Sequence, residues 1–261
     1  MTDGYEPGFL GLPLPLPMPA VPIRVLPSPR FTVLLDPERR LAAVTGVNID
    51  GELLLDLPRT GDWRFDERVP EGEQTGPAVY ARNDLDRGHL VRRRDPGWGE
   101  AAEARAATEA TFTYPNAAPQ AAGFNQSKQL WLGLEDHVLA YAEATAQRLS
   151  VFTAPVLAPD DPEYRGIRIP LRFWKVAAWR SADGLAAAGF VLDQSALVRT
   201  HEGTLTVAPL GGFRTFQAPV AEIAQLTGVD LGPLVTADVL PRRGARDAGW
   251  LLLRGADDIV L

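Results

Sequence analysis

The sequence predicts an α+β fold: one large domain in which strands and helices are segregated. Three observations carry this reading. Short apolar, β-prone runs recur in both halves of the chain. The two main helical patterns lie together in the middle of it. A doubly wound parallel sheet would need strands and helices in alternation, and the chain lacks that order.

The elements follow in order. Residues 1–30 are rich in proline, and Leu12-Pro13-Leu14-Pro15-Leu16-Pro17 alternates strictly, so an extended or polyproline II strap is expected. Its leucines should pack on a body formed by residues 31–261. Phe31-Thr32-Val33-Leu34-Leu35, then 41–47, then Glu52-Leu53-Leu54-Leu55 read as strands. Asp36-Pro37 separates the first two, and Asp50-Gly51 is a strong hairpin signal before the third. The stretch 58–73 is loop-like and carries Arg59, Arg64 and Arg68. The Ala/Glu-rich run 99–110 reads as a helix. A longer helix is expected over 126–149, where Trp131, Leu134, Val138 and Tyr141 recur at spacings of three and four. Residues 150–156, 167–179 and 188–193 return to strand character. A short helix over 219–226 should end at Gly228, and Trp250-Leu251-Leu252-Leu253 supplies a last strand.

Composition excludes several function classes. With 261 residues, 46% of them hydrophobic and 23% charged, the chain is long enough to bury a sizeable core and is not disordered in character. No run approaches the roughly 18–20 apolar residues of a membrane span. The start, Met1-Thr2-Asp3-Gly4-Tyr5-Glu6, lacks the basic and apolar regions of a secretory signal, so a cytoplasmic location is expected. Zero cysteines rules out disulfides and thiolate metal sites. No Gly-x-Ser-x-Gly elbow seats a nucleophilic serine. The net charge of −7 speaks to solubility, not to a site. Locally the balance differs: Arg82, Arg87, Arg92, Arg93 and Arg94 form a basic stretch, diluted by Asp84, Asp86 and Asp95.

Within that stretch lies Asp86-Arg87-Gly88-His89, one of only three histidines beside an arginine. About thirty residues on, Thr113-Tyr114-Pro115-Asn116-Ala117-Ala118-Pro119-Gln120 leads into Phe124-Asn125-Gln126 and then Trp131-Leu132-Gly133-Leu134-Glu135. These are the parts of a one-metal phosphodiesterase. A neutral imidazole takes a proton from water near pH 7. Arginine stays charged and pairs bidentately with phosphate oxygens. An amide oxygen and a carboxylate suit magnesium, which keeps most of its waters. The bland alternatives are a solvated loop for the arginines, a helix cap for Asn125 and a surface position for Glu135. His137 and His201 have no partners at ligand spacing and are taken as structural.

On Asp86-Arg87-Gly88-His89 and the Asn-x-x-x-Gln-x-x-x-x-Asn-Gln run at 116–126, the chain resembles the DNA/RNA non-specific endonucleases of the ββα-metal, or His-Me finger, group. That group includes secreted bacterial nucleases and mitochondrial endonuclease G. The resemblance implies a central antiparallel sheet flanked by helices and magnesium-dependent cleavage of DNA and RNA to 5′-phosphate ends, with manganese as a substitute ion. It implies His89 as general base and Arg87 at the phosphate. Asn125 becomes the direct metal ligand and Glu135 acts through a metal-bound water. Asn116 helps to position the site, and Asp86 anchors the strand end that presents His89. Arg92, Arg93 and Arg94 supply substrate-binding charge. Members often pair as homodimers, and an enzyme inside a cell needs an inhibitor or other partner to restrain it.

The chain departs from the family pattern twice. Two extra residues separate Asn125 from Trp131, which puts Asn125 and Glu135 ten apart, ~15 Å along an unbroken helix. The slack is therefore expected at the helix's first turn. Leu139 stands where the family often has an arginine, and Arg59, Arg93 and Lys128 are the candidates to replace that charge. These departures motivate the alternative reading, a catalytically degenerate nuclease fold that serves as a binding or scaffold module.

Overall fold

The structure, a computed structural model, describes residues 3–122, 131–201, 204–207, 214–240, 249–255 and 258–259. Its strands are β1 (Met18–Pro19), β2 (Arg24–Ser28), β3 (Phe31–Asp36), β4 (Leu41–Asp50), β5 (Leu85–His89), β6 (Ala117–Ala121), β7 (Arg148–Pro155) and β8 (Glu163–Tyr164). They continue with β9 (Ile167–Arg168), β10 (Arg172–Ser181), β11 (Gly184–Asp193), β12 (Val198–His201), β13 (Thr204–Val207), β14 (Arg214–Gln217), β15 (Val229–Asp230) and β16 (Leu251–Leu253). The helices are α1 (Pro77–Tyr80), α2 (Ala101–Ala110), α3 (Trp131–Thr145), α4 (Val220–Thr227) and α5 (Leu234–Ala237).

Eight strands form the main sheet in the order β16-β14-β11-β10-β7-β4-β3-β2. Every neighbour is antiparallel. This is the α+β architecture expected from the sequence. No described helix is long and apolar enough to cross a membrane.

An antiparallel sheet commonly leaves one face to solvent, but here both faces are covered. Along β10, Phe173, Ala177 and Trp179 enter one apolar cluster while Trp174, Val176 and Ala178 enter the other. On the first face lie the β5–β6 pair and α3, through Leu85, Leu90, Val91, Ala118, Ala121, Val138, Leu139 and Ala142. On the second lie Tyr5, Phe9, Leu10 and Leu14 of the proline-rich segment, with Val220, Ile223 and Leu234 of α4 and α5. Leu10, Leu14 and Leu16 of that segment thus pack on the body, and its residues 24–28 pair with β3 as an edge strand.

Element by element, α4 ends as expected, with Gly228 at φ 66° and its N–H donating to Ala224 O. α2 starts at a Glu100 cap that accepts from Ala102 N and Glu103 N. Along α3, Val138 is buried and Tyr141 meets Trp179 edge-on at 6.3 Å, in keeping with the expected apolar stripe. The helix stops at Thr145, four residues short of its expected end, because Arg148 already belongs to β7.

The hairpin expected at Asp50-Gly51 is overturned. β4 runs on through Asp50, paired with β7, and residues 51–53 form a 3-10 turn in place of a third strand. Gly51 is needed for close approach: a Cβ there would come within 2.0 Å of the Ala142 carbonyl oxygen at the end of α3. A dipeptide typical of hairpins here lets strand and helix touch.

Candidate active site

β5 and β6 form a two-stranded antiparallel ladder that pairs Asp86 with Gln120, Gly88 with Ala118 and His89 with Ala117. Alternation along β5 sends Arg87 and His89 to one face and Asp86 and Gly88 to the other. The glycine of the tetrapeptide is a packing requirement. A Cβ at residue 88 would lie 2.1 Å from the Gln120 side-chain amide, which is fully buried beneath it. Both amide atoms of Gln120 are buried without a hydrogen-bond partner.

Backbone contacts lock the far end of β5. Asn116 is fully buried: its Oδ1 accepts from Val91 N at 2.9 Å, and its Nδ2 donates to Val91 O and Thr111 O, both at 2.9 Å. Its carbonyl also accepts from Leu90 N at 3.0 Å. An amide so fully engaged cannot touch a substrate. Asn116, expected to help position the site, is a clamp that fixes the backbone just after His89.

His89 is held by aromatic rings. Its ring centroid is 4.5 Å from that of Trp63 and 4.9 Å from that of Phe112, the latter edge-on at 90°. The ring is only partly screened from solvent as a whole, but Nε2 is buried and has no hydrogen-bond partner. Burial, then the positive charges of Arg59, Arg93 and Arg92, push the imidazole down to about 3. At neutral pH His89 is therefore uncharged, with an unprotonated ring nitrogen, the state a general base requires.

The guanidiniums are arranged around it. Arg87 is exposed, its Cζ 5.7 Å from the centroid of the Trp63 ring. Arg59 is exposed on the loop after residue 57, close enough for its charge to bear on His89 and Arg93. Arg93 donates to Leu57 O at 2.9 Å, and burial followed by the charges of Arg59, Arg94 and Arg92 lowers its own affinity for a proton. Arg92 and Arg94 share this turn, where Asp95 N donates to Arg92 O at 3.0 Å and Arg92 N donates to Asp95 Oδ2 at 3.2 Å. Burial raises Asp95, and the charge of Lys175 is the first influence opposing that rise. Lys175 is itself buried in the middle of β10, where it donates to Thr153 Oγ1 at 2.9 Å. The central sheet thus reaches the arginine turn through a buried charge.

The structure brings Arg59, Arg87, His89, Arg92, Arg93 and Arg94 into one region. Asn125 and Lys128 lie outside the described residues, and of Glu135 only its place in α3 is described. Among the described residues no group of three or more histidines and carboxylates could hold an ion. Leu139, at the position where a charge was sought, is 2% exposed in the core and not at the site. Sequence reading missed Trp63 and Lys175. Trp63 stands alone in a loop without periodicity; Lys175 sits within an apolar strand, Phe173-Trp174-Lys175-Val176, where a charge has a purpose.

Comparison with known proteins settles the lineage. The family model for DNA/RNA non-specific endonucleases matches residues 19–238. The chain belongs to the DNA/RNA non-specific endonuclease family. This chain thus shares its descent with enzymes that, at the level of the family, hydrolyse nucleic acids with a divalent metal. It is 42% identical over 219 residues to the uncharacterized protein y4fB of Sinorhizobium fredii, a match covering 78% of this chain and 33% of that protein. The chain thus spans about a third of the length of that relative. Its fold matches a chain of the crystal structure of the EndoG/EndoGI complex, solved for the mechanism of EndoG inhibition, with a TM-score of 0.60 and 20% identity over 78% of this chain and 84% of that one. At that identity the likeness is one of fold alone.

Proposed function

We propose that the endonuclease cuts DNA and RNA without sequence preference, with His89 as general base, and leaves 5′-phosphate ends. The observation that carries this reading is a neutral imidazole with an unpartnered Nε2 amid several guanidiniums, on a chain of this family. The neutral His89 imidazole takes a proton from the attacking water. Arg87 binds the non-bridging phosphate oxygens and offsets the charge that grows on them. Arg59, Arg92, Arg93 and Arg94 hold the flanking phosphates, so affinity should fall as salt rises. A magnesium ion, with manganese as substitute, would be held by Asn125 and, through water, by Glu135, and would supply charge stabilisation at the departing 3′ oxygen. The donor types fit that ion. The cationic surround of His89 likewise fits an anionic diester that brings its own counter-charge.

The test is plasmid nicking and RNA cleavage with magnesium, each with and without chelator. Cutting that chelator abolishes and added magnesium restores is the expected result. Cutting that persists in chelator would sink the metal-assisted mechanism. The scaffold reading would take over if no polymer were cut with any of several divalent ions.

The depressed imidazole yields a pH prediction. Because kcat/KM reports the free enzyme, its plateau should extend well below pH 6.5, and the base should be lost only as pH approaches about 3. An acid limb centred at 6.5 or above, in rates measured at limiting substrate, would contradict this.

The proposed restraint follows from the proposed activity. A broad endonuclease kept in the cytoplasm would attack its host's nucleic acid. An inhibitor or regulatory partner, with or without homodimer formation, therefore belongs to the same reading.

A further inference from the structure

Trp63 touches both groups to which the chemistry is assigned. Its ring lies 4.5 Å from that of His89 and 5.7 Å from the Arg87 guanidinium carbon, centroid to centroid and centroid to Cζ. Phe112 meets it edge-on at 5.5 Å and Tyr114 stacks on it at 6.1 Å. The neighbouring backbone is tied on both sides, with Arg64 N donating to Phe112 O at 3.1 Å and Tyr114 N donating to Arg64 O at 3.0 Å. The indole is therefore fixed in place. It is also only partly buried, unlike the aromatic side chains of the core.

Arg87 and His89 stand two residues apart on one strand face, roughly 6–7 Å along it. Side chains so placed are free to splay unless something holds them. A flat, rigid ring in contact with both does so, and its π face attracts the guanidinium specifically.

The geometry points to Trp63 as a positioning residue of the endonuclease: its indole sets the separation and orientation of the His89 imidazole and the Arg87 guanidinium, so that both address the same phosphodiester. This role rests on the nuclease reading above. Phenylalanine keeps a ring and a π face at this position, whereas leucine keeps bulk alone.

The experiment compares wild type with Trp63→Phe and Trp63→Leu, using the full chain. Trp63→Leu should lower kcat by about ten- to a hundredfold, with KM changed less than about threefold, and Trp63→Phe should recover most of the loss. Thermal melting of each variant is recorded alongside. A loss confined to KM, or one that merely follows the melting temperature, would make Trp63 structural and overturn the role. A second readout needs no activity. The ring protons of His89, identified by their disappearance in His89→Ala, should sit away from ordinary imidazole positions in wild type and Trp63→Phe. In Trp63→Leu they should move back. Identical His89 resonances in all three would overturn the contact itself. A wild type that cuts nothing while its His89 signals still follow residue 63 would overturn the nuclease reading, and this role with it, so the two failures are told apart.

Discussion

Replacing His89 by alanine is expected to slow cleavage by about 10²–10⁴-fold, the range that one positioned general base contributes. The loss should appear in kcat, because the residue holds a proton and not the substrate. In the proposed mechanism phosphate binding rests on Arg87 and the arginine turn, so affinity for an oligonucleotide should be nearly unchanged. The variant should also fold. Phe112, beneath the ring, is 1% exposed and stays packed, and the backbone after residue 89 is held by Asn116 and not by the imidazole. Stability carries an independent check. In the folded chain His89 is held down to about 3, whereas in the unfolded chain it binds a proton below about 6.5. The unfolded state thus gains protons first as pH falls, and stability drains away between those two values. Denaturant melts of His89→Ala should lack that component of acid sensitivity. Cleavage by this variant at the wild-type rate would end the proposed mechanism.

The second large effect is expected at Asn116, and it should appear as stability. Asn116→Ala removes three side-chain hydrogen bonds and strands Val91 N, Val91 O and Thr111 O in a region closed to water. An unsatisfied buried group costs roughly 1–3 kcal/mol, and such losses are not additive, so about 3–5 kcal/mol is expected in total. Set against the usual 5–15 kcal/mol of a domain, that is a severe loss. Activity should fall with it, since Val91 and Leu90 fix the direction in which His89 leaves β5. Asn116→Asp separates the components. It keeps an acceptor for Val91 N but sets a carboxylate oxygen against two carbonyls, and should be about as damaging at neutral pH. A change below about 1 kcal/mol in urea unfolding for either variant would show that the clamp is dispensable.

How much of this was legible depends on where the information is stored. Gly228 could be read because a helix end with a left-handed residue is a local arrangement, complete within a few positions. The Asp50-Gly51 signal misled because the demand on Gly51 comes from Ala142, ninety residues away, and no local pattern encodes that contact. At the site the same division holds. The tetrapeptide at 86–89 is contiguous, so the chemistry proposed for it can be read from the sequence alone. That Gly88 makes room for Gln120, and that Asn116 turns its amide on Val91, became visible only when β5 and β6 were laid side by side. Trp63 reaches His89 across twenty-six positions from a loop with no periodicity, and nothing in the sequence around it distinguishes it from a core residue.

The packing of the first residues has a practical corollary for anyone shortening the chain. The family match starts at residue 19, yet Tyr5, Phe9, Leu10 and Leu14 belong to the apolar cluster on one face of the sheet, with the Tyr5 ring 5.3 Å from that of Phe152. A fragment cut to the recognisable homology would strip that cover from Phe152, and exposed apolar surface of that kind drives self-association. Expression boundaries drawn from homology alone would thus yield sticky protein, for a reason unrelated to the candidate site on the opposite face of the sheet.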